Sequence, residues 1–429
     1  LLFYPPKVVK AVLENLLTLT CKNNTNMEPI RIGVIKEGKV PPDFRTPLTP
    51  YQCKVLKTMY PQAEVVVQSS PIRTFSDQEY RDQGIDVVDN LVDCDIILGV
   101  KEVPIPSLIP NKTFLFFSHT IKKQPYNREL LQSILDQKIR LIDYEVIKDK
   151  YRTRLIGFGR YAGIVGCYNG FLTYGLKHGA YSLKPAHECH DRKEVEEELK
   201  KVVLPTNFRC LVTGFGRVGH GAKEIIDLLP IKEVSPEEYL TQTFNEPVYC
   251  QLEAADYYRN QAGDFDKAAF YANPSDYTSI LTQYAASSDM YIPCHYWDNK
   301  APVLLTQQDF IQHARLKVVA DISCDIAGPI ACTIRPSKIG NSIYGWNPST
   351  NEECDFSLPE AVAVMAVDNL PCELPKDASE DFGSELLKHV FPRLLGDDPD
   401  QIIYRASETT FDGTLNDPFL YLTDYLTGK

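Results

Sequence analysis

The sequence predicts an α/β protein of two domains, and three patterns support that prediction. Short apolar strands alternate with helical segments between Ile30 and Ile142, which is typical of a parallel sheet covered by helices. A long helical stretch rich in glycine follows. Beyond it, Phe208–Pro230 has the form of an apolar strand, a tight turn and a helix, which indicates a second α/β unit.

The elements of the first part follow from hydrophobic periodicity. A helix is predicted to begin near Tyr51, and another to cover Arg128–Leu135. The predicted strands are short runs rich in apolar residues: Ile30–Ile35, Glu64–Val67, Ile85–Val88, Asp95–Val100, Thr113–Phe117 and Arg140–Ile142.

The helical stretch Gly157–Gly179 contains Gly159, Gly163, Gly166 and Gly170 at intervals of three or four residues. Each glycine costs a helix roughly 1 kcal/mol relative to alanine. Such a row predicts that another backbone packs closely against this helix. A long helix that links two domains would have this property.

Gly214, Gly216 and Gly219 form the pattern G-x-G-x-x-G between an apolar strand and a helix. In this context the first glycine permits the tight turn and the second lets a pyrophosphate approach the helix N-terminus. The third allows the helix to pack closely on the strand. The pattern therefore predicts dinucleotide binding.

An acidic residue that binds the ribose should follow the second strand of this unit. That strand is predicted near Ile231–Val234, with Glu233, Glu237 and Glu238 close by. No aspartate stands at its end, so the choice between NAD and NADP is left open.

The remaining segments show weaker hydrophobic periodicity. Pro236–Ser288 is rich in tyrosine and irregular, and Val318–Ile322 is a buried strand. Helices are predicted over the charged stretch Ala186–Lys201 and over Ala361–Val367 and Glu385–Leu394.

Polar side chains follow three of the predicted strands in the first part. Lys101 and Glu102 come directly after DIILGV, and Glu145 follows RLIDY. In KTFLFFSHTIKK, a buried strand leads straight to His119. Ligands of parallel sheets bind at the carboxyl ends of the strands, so these side chains are expected to share one crevice.

Two arginines lie near the same region of the predicted fold. Arg45 is in DFRTPLTP on the loop after the first strand, and Arg154 precedes the glycine-rich helix. The planar guanidinium group suits a substrate carboxylate, although a surface ion pair would explain either arginine alone.

The composition excludes several classes of function. The chain has 429 residues, a net charge of −12 and 44% hydrophobic residues. Its negative charge argues against nonspecific binding to nucleic acid or an anionic membrane, and no apolar run approaches the roughly 18 residues of a membrane span. The 12 cysteines are scattered without a CxxC pair, which fits a reducing compartment.

Two further segments say little about the function of the protein. HECH at His187–His190 lacks the paired spacing of a zinc site, so no metal is predicted. The apolar stretch within Leu1–Asn26 contains Lys10 and Glu14, which makes it a poor signal sequence. We expect Leu1–Asn26 to be an appendage, with Met27 as the start of the protein.

Several stretches of the chain resemble the alanine dehydrogenase/saccharopine dehydrogenase superfamily. Within it, they are similar to the lysine-forming saccharopine dehydrogenases and to the lysine–ketoglutarate reductase half of the bifunctional aminoadipic semialdehyde synthases. The resemblance covers roughly Arg31 to Leu426. The stretches that carry it are ILGVKE, FFSHTIK, IRLIDYE, VTGFGRVGHGA, YWDNKAPVLLTQQD, DISCDIAGPI and AVDNLPCELP.

The resemblance implies two Rossmann-like domains with parallel sheets and an active site in the cleft between them. On this chain, 27–156 with 335–429 would form the substrate domain, and 157–334 would form the dinucleotide-binding domain. The implied reaction is the interconversion of saccharopine with L-lysine and 2-oxoglutarate by hydride transfer, with NAD or NADP as cofactor.

The resemblance also implies roles for individual residues. Lys101 and His119 would be the acid–base pair. Residues at positions that contact or tune the substrate site are Arg45, Glu102, Gln124, Glu145, Arg154 and Phe158. Residues at positions on the cofactor side are Gly214, Gly216, Arg217, Gly219 and Asp325.

Mixed features leave the direction, the cofactor and the amino acid open. Lys101 is followed by glutamate, as in the single-domain fungal enzymes, whereas Pro236–Ser288 resembles the reductase halves. An alanine or opine-type amino-acid dehydrogenase is one alternative, and a non-catalytic dinucleotide-binding sensor is another. The expected partners are small-molecule substrates, with no nucleic acid and no membrane. The expected compartment is the cytoplasm, or the mitochondrion in a eukaryote.

Overall fold

A computed structural model describes residues 29–428 of the protein, so the predicted appendage Leu1–Asn26 lies outside the described residues. The described chain divides into two compact units. The first unit contains the residues up to Gly157 and those from Ala378 onward, and the second is Phe158–Asp377.

The first unit is built on a six-stranded parallel sheet in the order β3-β2-β1-β4-β5-β6. All six strands match predicted apolar runs to within about two residues. Apolar side chains on its strands and helices, such as Ile97 and Phe116, form a buried core. The strands are β1 (Ile30–Val34), β2 (Ala63–Gln68), β3 (Asp86–Val88), β4 (Ile96–Leu98), β5 (Thr113–Phe116) and β6 (Arg140–Asp143).

Helices of the first unit begin at recognisable caps. Thr49 and Gln52 form a capping box at the start of α1, Pro50–Met59, and Ser76 caps α2, Asp77–Asp82. The predicted helix over Arg128–Leu135 is α3, Arg128–Asp136.

The second unit contains an eight-stranded sheet in the order β15-β14-β16-β13-β12-β7-β9-β8. The six strands from β16 to β8 are parallel, whereas β14 and β15 run antiparallel to their neighbours. A small antiparallel pair, β10 (Tyr258–Asn260) and β11 (Tyr277–Ser279), stands apart. The strands of the large sheet are β7 (Arg209–Thr213), β8 (Lys232–Glu233), β9 (Val248–Leu252), β12 (Met290–Pro293), β13 (Val318–Ala320), β14 (Ile343–Asn347), β15 (Glu352–Cys354) and β16 (Val362–Met365).

The helices of the second unit begin with the predicted glycine-rich helix, α4, which ends before Gly179 in the left-handed conformation. The helices are α4 (Gly159–His178), α5 (Arg192–Leu199), α6 (Arg217–Ile226), α7 (Pro236–Thr241), α8 (Ala254–Tyr257), α9 (Lys267–Ala272), α10 (Thr282–Ala285), α11 (Gln307–Gln312) and α12 (Pro375–Glu385), of which α12 continues into the first unit.

The close packing predicted for the glycine-rich helix is confirmed. A Cβ atom on Gly163 would lie 2.0 Å from the carbonyl oxygen of Val218 on α6. A Cβ atom on Gly221 would lie 2.0 Å from the carbonyl oxygen of Arg160. Both helices therefore need glycine where their backbones meet.

The predicted helix over Ala361–Val367 is wrong, because this segment contains strand β16. Its apolar run is buried on both faces between β13 and β14, and such a run has no period that separates strand from helix. The predicted helix Glu385–Leu394 is helical, with a π-helical turn over Leu386–Val390 before α13, Phe391–Leu394.

The division between the units also differs from the expected boundary at residue 335. Strands β14 and β16 pair within the second sheet, so residues 335–377 lie with the second unit. The return to the first unit comes later, where the backbone N–H of Thr46 donates to Ser379 Oγ at 2.9 Å. Two further helices of the first unit follow, α14 (Ile402–Ala406) and α15 (Thr423–Thr427).

Candidate active site

The polar residues predicted at strand ends come from neighbouring strands of the first sheet. Strands β1, β4, β5 and β6 are adjacent and parallel, so their carboxyl ends meet at one edge. Lys101 and Glu102 follow β4, His119 follows β5, and Glu145 follows β6.

His119 and Glu102 are in direct contact. The Nδ1 atom of His119 lies 2.6 Å from Glu102 Oε1, and Lys39 Nζ donates to Glu102 Oε2 at 2.8 Å. Burial alone would raise the pKa of Glu102, but the hydrogen bonds from His119 and Lys39 lower it to about 2. Glu102 is therefore a carboxylate that fixes one nitrogen of the imidazole and leaves Nε2 for chemistry.

The backbone of His119 adopts a left-handed conformation with φ of 56°. This conformation is uncommon for a residue other than glycine and persists where the surroundings enforce it. The side chain is only 17% exposed. The turn after β5 thus aims the imidazole at Glu102.

Lys101 lies in an environment that disfavours its charge. Burial lowers the pKa of its amine, and the positive charges of Arg45 and Lys39 lower it further. A lysine of this kind can supply a neutral amine closer to neutral pH than an exposed lysine can.

Glu37 is a residue of this site that the sequence patterns do not single out. Its carboxylate accepts hydrogen bonds from the backbone N–H groups of Val100 at 2.7 Å and Lys101 at 2.9 Å. Burial raises the pKa of Glu37 to about 7, and the charge of Asp43 adds to the effect. The sequence gives one signal only, which is an acidic residue within three positions of the end of β1.

Arg45 is buried and paired within the chain. Its Nε donates to Asp43 Oδ1 at 2.9 Å, and the two side chains are each 2% exposed. Burial opposes ionisation of Asp43, but the charge of Arg45 holds the pKa of Asp43 well below its usual range. Arg45 therefore contributes positive charge beside Lys101 and holds a carboxylate of the protein itself.

Glu145 and Arg154 lie at the same sheet edge. Arg154 Nη1 is 3.9 Å from Glu145 Oε1, and Lys122 Nζ is 3.5 Å from the same oxygen. The guanidinium of Arg154 also stacks on the ring of Phe117, with 5.2 Å between the guanidinium carbon and the ring centroid. The side chain of Arg154 is 39% exposed, which leaves it accessible to a ligand.

Two other predicted substrate residues are less closely tied to this cluster. Gln124 begins a short 3-10 turn, its carbonyl oxygen accepts from Tyr425 Oη at 2.6 Å, and its side chain accepts from Tyr126 Oη. Phe158 is the first residue of the second unit and precedes α4.

The glycine turn of the second unit has the geometry that its pattern predicts. Gly214 has φ of 98°, and Gly216 caps the N-terminus of α6. A Cβ atom on Gly219 would lie 2.0 Å from the carbonyl oxygen of Gly214, whereas a Cβ atom on Gly216 would meet nothing within 4 Å. The turn is thus tight at its base and open where a pyrophosphate would approach.

A cavity of about 750 Å³ lies beside this turn. Its lining includes Gly214, Gly216, Arg217 and Asp325, which are four of the five predicted cofactor residues. The fifth, Gly219, packs beneath the turn. Burial and the charge of Asp321 raise the pKa of Asp325 to about 6.

The acidic residue at the end of the second strand is Glu253, and the predicted position near Ile231–Val234 is wrong. Strand β9 is the neighbour of β7, and Glu253 follows it and lines the cavity. Strand β8 is a two-residue edge strand, and its Glu233 accepts from Lys223 and from Tyr249 Oη, both at 2.8 Å. The sequence conceals β9 because it lies within the tyrosine-rich segment predicted to be irregular.

His295 is another cavity residue that the sequence patterns miss. It follows β12, is buried, and its Nδ1 lies 2.7 Å from Thr213 Oγ1. Burial lowers the pKa of His295 to about 4, so the imidazole is neutral at physiological pH.

These features fit a dinucleotide. An open glycine turn at a helix N-terminus can receive a pyrophosphate, and a carboxylate at the end of the adjacent strand can accept from a ribose hydroxyl. The adjoining cavity is within the size range of cofactor sites.

The segment HECH shows no metal-like arrangement. His187 Nδ1 is 3.7 Å from Glu373, and His190 Nδ1 is 3.4 Å from Asp191. Within residues 29–428, no group of three or more His, Cys, Asp or Glu side chains is arranged to hold a metal ion. None of the helices in this part of the chain is long and apolar enough to cross a membrane.

Comparison with known protein families matches residues 33–165 to the alanine dehydrogenase/PNT, N-terminal domain. The matched range contains the candidate acid–base residues of the first unit. The fold is similar to that of L-alanine dehydrogenase, with a TM-score of 0.64 at 17% identity over 93% of this chain and 99% of that one. The transhydrogenase from Sinorhizobium meliloti has a TM-score of 0.58 at 15% identity, over 90% of this chain and 99% of that one. The family match therefore covers the first unit from Gly33 to Gly157 and the start of the long glycine-rich helix.

The chain is homologous to the α-aminoadipic semialdehyde synthases and the saccharopine dehydrogenases. It is 33% identical over 401 residues to the synthase of Arabidopsis thaliana, over 83% of this chain and 37% of the relative. It is 29% identical over 428 residues to the mitochondrial synthase of Mus musculus, over 88% of this chain and 46% of the relative. The chain therefore spans less than half the length of these synthases.

A shorter relative is covered almost completely. Saccharopine dehydrogenase (NAD+, L-lysine-forming) of Yarrowia lipolytica is 26% identical over 378 residues, which is 84% of this chain and 91% of the relative. The homologues of the chain are thus oxidoreductases.

Proposed function

We propose that the protein interconverts saccharopine with L-lysine and 2-oxoglutarate, using a nicotinamide dinucleotide. The observation that carries the proposal is the cluster of Lys101, Glu102 and His119 at adjacent strand ends, with His119 Nδ1 2.6 Å from the Glu102 carboxylate. The homology to saccharopine dehydrogenases and to the aminoadipic semialdehyde synthases supports this choice of substrate.

The bound nicotinamide would accept the hydride from the carbon beside the secondary amine of saccharopine. In this direction Lys101 Nζ accepts the proton of that amine, because its lowered pKa makes the neutral form accessible. The amine and the adjacent carbon become an imine, which needs water for its breakdown.

His119 handles the water steps in this proposal. With Nδ1–H donated to Glu102, the free Nε2 takes a proton from water as it adds to the imine carbon. It gives that proton to the nitrogen, and then transfers the proton of the new hydroxyl group to the nitrogen as the carbon–nitrogen bond breaks and the carbonyl group forms. The products are lysine, which keeps the nitrogen, and 2-oxoglutarate, which keeps the new oxygen.

Positive charge is suited to a substrate that carries three carboxylates. Arg154 is the accessible arginine of the cluster, and we assign it a direct contact with a substrate carboxylate. Arg45, which is 2% exposed and paired with Asp43, is assigned the role of lowering the pKa of Lys101. Glu145 lies within 3.9 Å of Arg154 and would hold that guanidinium in place.

Glu253 supports NAD as the dinucleotide. A carboxylate at the end of the strand next to the glycine turn accepts from the ribose 2′-hydroxyl and repels a 2′-phosphate. Lys267 lines the same cavity, so NADPH belongs in every assay as the competing cofactor.

The reducing compartment expected from the cysteines stays a proposal. All 11 cysteines among the described residues are free thiols, and most are buried. This supports a reducing compartment for the chain, and the Mus musculus relative is a mitochondrial protein.

The deciding experiment follows the absorbance of NADH or NADPH with lysine and 2-oxoglutarate. Oxidation that requires both substrates supports the proposal and selects the dinucleotide. The likeness to L-alanine dehydrogenase makes pyruvate with ammonia the matched alternative pair, and activity with that pair alone would replace the proposal. Tight dinucleotide binding without turnover of either pair would favour a non-catalytic sensor.

The variant Lys101→Met tests the assignment of the base. We expect turnover to fall by about 10²–10⁴-fold with dinucleotide affinity unchanged. Lys112→Met is the matched control, because Lys112 precedes β5 at the opposite edge of the sheet. Equal losses of turnover and dinucleotide affinity would contradict a proton-transfer role.

The variant Arg154→Ala tests the carboxylate contact. We expect the apparent KM for 2-oxoglutarate to rise more than kcat falls, because a binding interaction is removed. Arg152→Ala, an exposed arginine two residues earlier, is the control. An unchanged KM in Arg154→Ala would remove this residue from the substrate site.

A further inference from the structure

Two carboxyl groups are buried beside the turn that carries His119. Asp143 ends β6, and Glu408 comes from the segment that follows α14. Both side chains are 0% exposed. The backbone N–H of Glu408 donates to the carbonyl oxygen of Leu141 at 2.7 Å, which places the segment along β6. The proposed mechanism uses neither carboxyl group.

The two residues that flank His119 are tied to this pair by their hydroxyl groups. Ser118 Oγ donates to Asp143 Oδ2 at 2.5 Å, and Thr120 Oγ1 donates to Glu408 Oε2 at 2.5 Å. The two hydroxyl oxygens are 2.7 Å apart. Ser118 and Thr120 are both 0% exposed, so water does not compete for these bonds.

Asp143 also accepts hydrogen bonds from backbone N–H groups in the turns that follow β5 and β6. Asp143 Oδ1 accepts from the backbone N–H of Glu145 at 2.6 Å, and Asp143 Oδ2 accepts from the backbone N–H of Ser118 at 3.3 Å. One buried carboxylate thus links the turns after β5 and β6.

The surroundings of the two carboxyl groups favour protonation of one of them. Burial raises the pKa of Glu408 and Asp143, and the charge of Asp143 raises the pKa of Glu408 further. Asp143 accepts hydrogen bonds from Ser118 and from the backbone N–H of Glu145, which favours its ionised form. These effects favour Glu408 as the protonated member of the pair.

We propose that Asp143 and Glu408 are positioning residues that hold His119 in its left-handed conformation through the hydroxyl groups of Ser118 and Thr120, sharing one proton between them. The role in catalysis rests on the proposed function of His119. The pair stabilises a backbone conformation that a non-glycine residue adopts only under constraint.

The test compares Glu408→Ala with Glu408→Gln. The glutamine amide can donate to Asp143 and its carbonyl oxygen can accept from Thr120, as the protonated carboxyl group does. We expect Glu408→Gln to resemble the wild type. We expect Glu408→Ala to lower kcat by on the order of 100-fold, because His119 shifts from its working position. Dinucleotide affinity should be unchanged in both.

The decisive measurement is the NMR titration of the His119 imidazole, with its resonance assigned by its absence in His119→Gln. Glu408→Ala should change the titration midpoint, and Glu408→Gln should not. Thr120→Val removes only the hydroxyl that Glu408 holds, and should change the midpoint in the same direction. If Glu408→Ala does not fold, Thr120→Val still tests the proposal.

Thr409→Val is the matched control on the same segment. Thr409 Oγ1 donates to the carbonyl oxygen of Ile139 at 2.6 Å and accepts from the N–H of Leu141 at 2.9 Å, and neither partner belongs to the His119 turn. It should lower stability and leave the titration of His119 unchanged.

Two outcomes would overturn the inference. If both Glu408→Ala and Thr120→Val leave the His119 titration unchanged, the pair does not position His119. If Glu408→Gln is as damaging as Glu408→Ala, Glu408 acts as an anion and the shared proton is wrong. A wild-type protein that turns over neither substrate pair would end the proposed function alone, because the titration needs no substrate.

Discussion

Each of the two units places a residue with positive φ shortly after a buried strand, but the two residues are of different types. In the second unit this residue is Gly214, with φ of 98°, and in the first it is His119, with φ of 56°. The turn at Gly214 requires no side chain, and glycine adopts a positive φ there without strain. At His119 the side chain is needed, and a buried network of hydrogen bonds holds the conformation instead.

The variant His119→Gly should separate the need for the imidazole side chain from the need for a left-handed backbone, and it should give the largest effect. We expect turnover to fall by about 10²–10⁴-fold because the acid–base group is lost. The free energy of unfolding should change by no more than about 1 kcal/mol, since relief of the left-handed conformation offsets the lost hydrogen bond to Glu102. Turnover assays and urea unfolding measure the two quantities.

Asn111→Gly is the control for this variant. Asn111 is exposed, has φ of 60°, and precedes the same strand. Turnover should be unaffected there. If His119→Gly instead lowers the free energy of unfolding by several kcal/mol, the imidazole itself stabilises the turn more than the buried hydrogen-bond network does.

The variant Gly214→Ala should break the other turn. Its Cβ atom would lie 2.7 Å from the carbonyl oxygen of Cys294, in a backbone conformation that alanine rarely adopts. We expect a loss of about 1–3 kcal/mol in the free energy of unfolding, together with weaker dinucleotide binding. Gly216→Ala, where the added Cβ atom meets nothing within 4 Å, should leave stability nearly unchanged. Equal stability of the two variants would refute the assignment of strain.

The free energy of unfolding at acid pH tests the interaction between Glu102 and the His119 turn. The pKa of Glu102 is lowered from 4.5 to about 2, so its stabilising contribution is present above about pH 4.5 and is lost as the pH falls towards 2. The wild type should exceed Glu102→Gln in unfolding free energy by at most about 3 kcal/mol near neutrality. The difference should narrow through that acid window. Urea unfolding as a function of pH measures it, and a difference independent of pH would contradict the assigned ion pair.

The smallest expected effect concerns the dinucleotide. Glu253→Gln should weaken NADH binding by roughly tenfold and reduce discrimination against NADPH, because one charged hydrogen bond to the ribose is replaced by a neutral one. Glu233→Gln is the control, since that carboxylate is held by Lys223 and Tyr249. Fluorescence titration with both dinucleotides measures the preference. An unchanged ratio would exclude Glu253 from cofactor selection.

The sequence predicts those parts of the fold whose cause is local. The six strands of the first unit and the glycine turn are visible because each combines an apolar run with the residues that end it. Strand β16 was predicted as a helix because burial on both faces removes its period. Strand β9 was missed within a tyrosine-rich segment, and with it Glu253.

In the candidate site, too, only residues with a local sequence pattern could be predicted. Lys101, Glu102 and His119 could be named because each follows an obvious strand. Glu37 and Glu408 could not, because their importance depends on contacts over 64 and 290 residues along the chain, which leave no local pattern.

The distance of Glu408 from His119 along the chain has a consequence for synthesis. The strands of the first sheet leave the ribosome early, and the entire second unit follows before residue 408 is made. Until then Thr120 lacks the carboxyl group that holds its hydroxyl. A nascent chain can therefore assemble its parallel sheet and its dinucleotide fold while the histidine turn is still unrestrained. Completion of the histidine turn depends on the segment that contains Glu408, so ribosome-bound chains that stop before residue 408 should bind dinucleotide without turning over substrate.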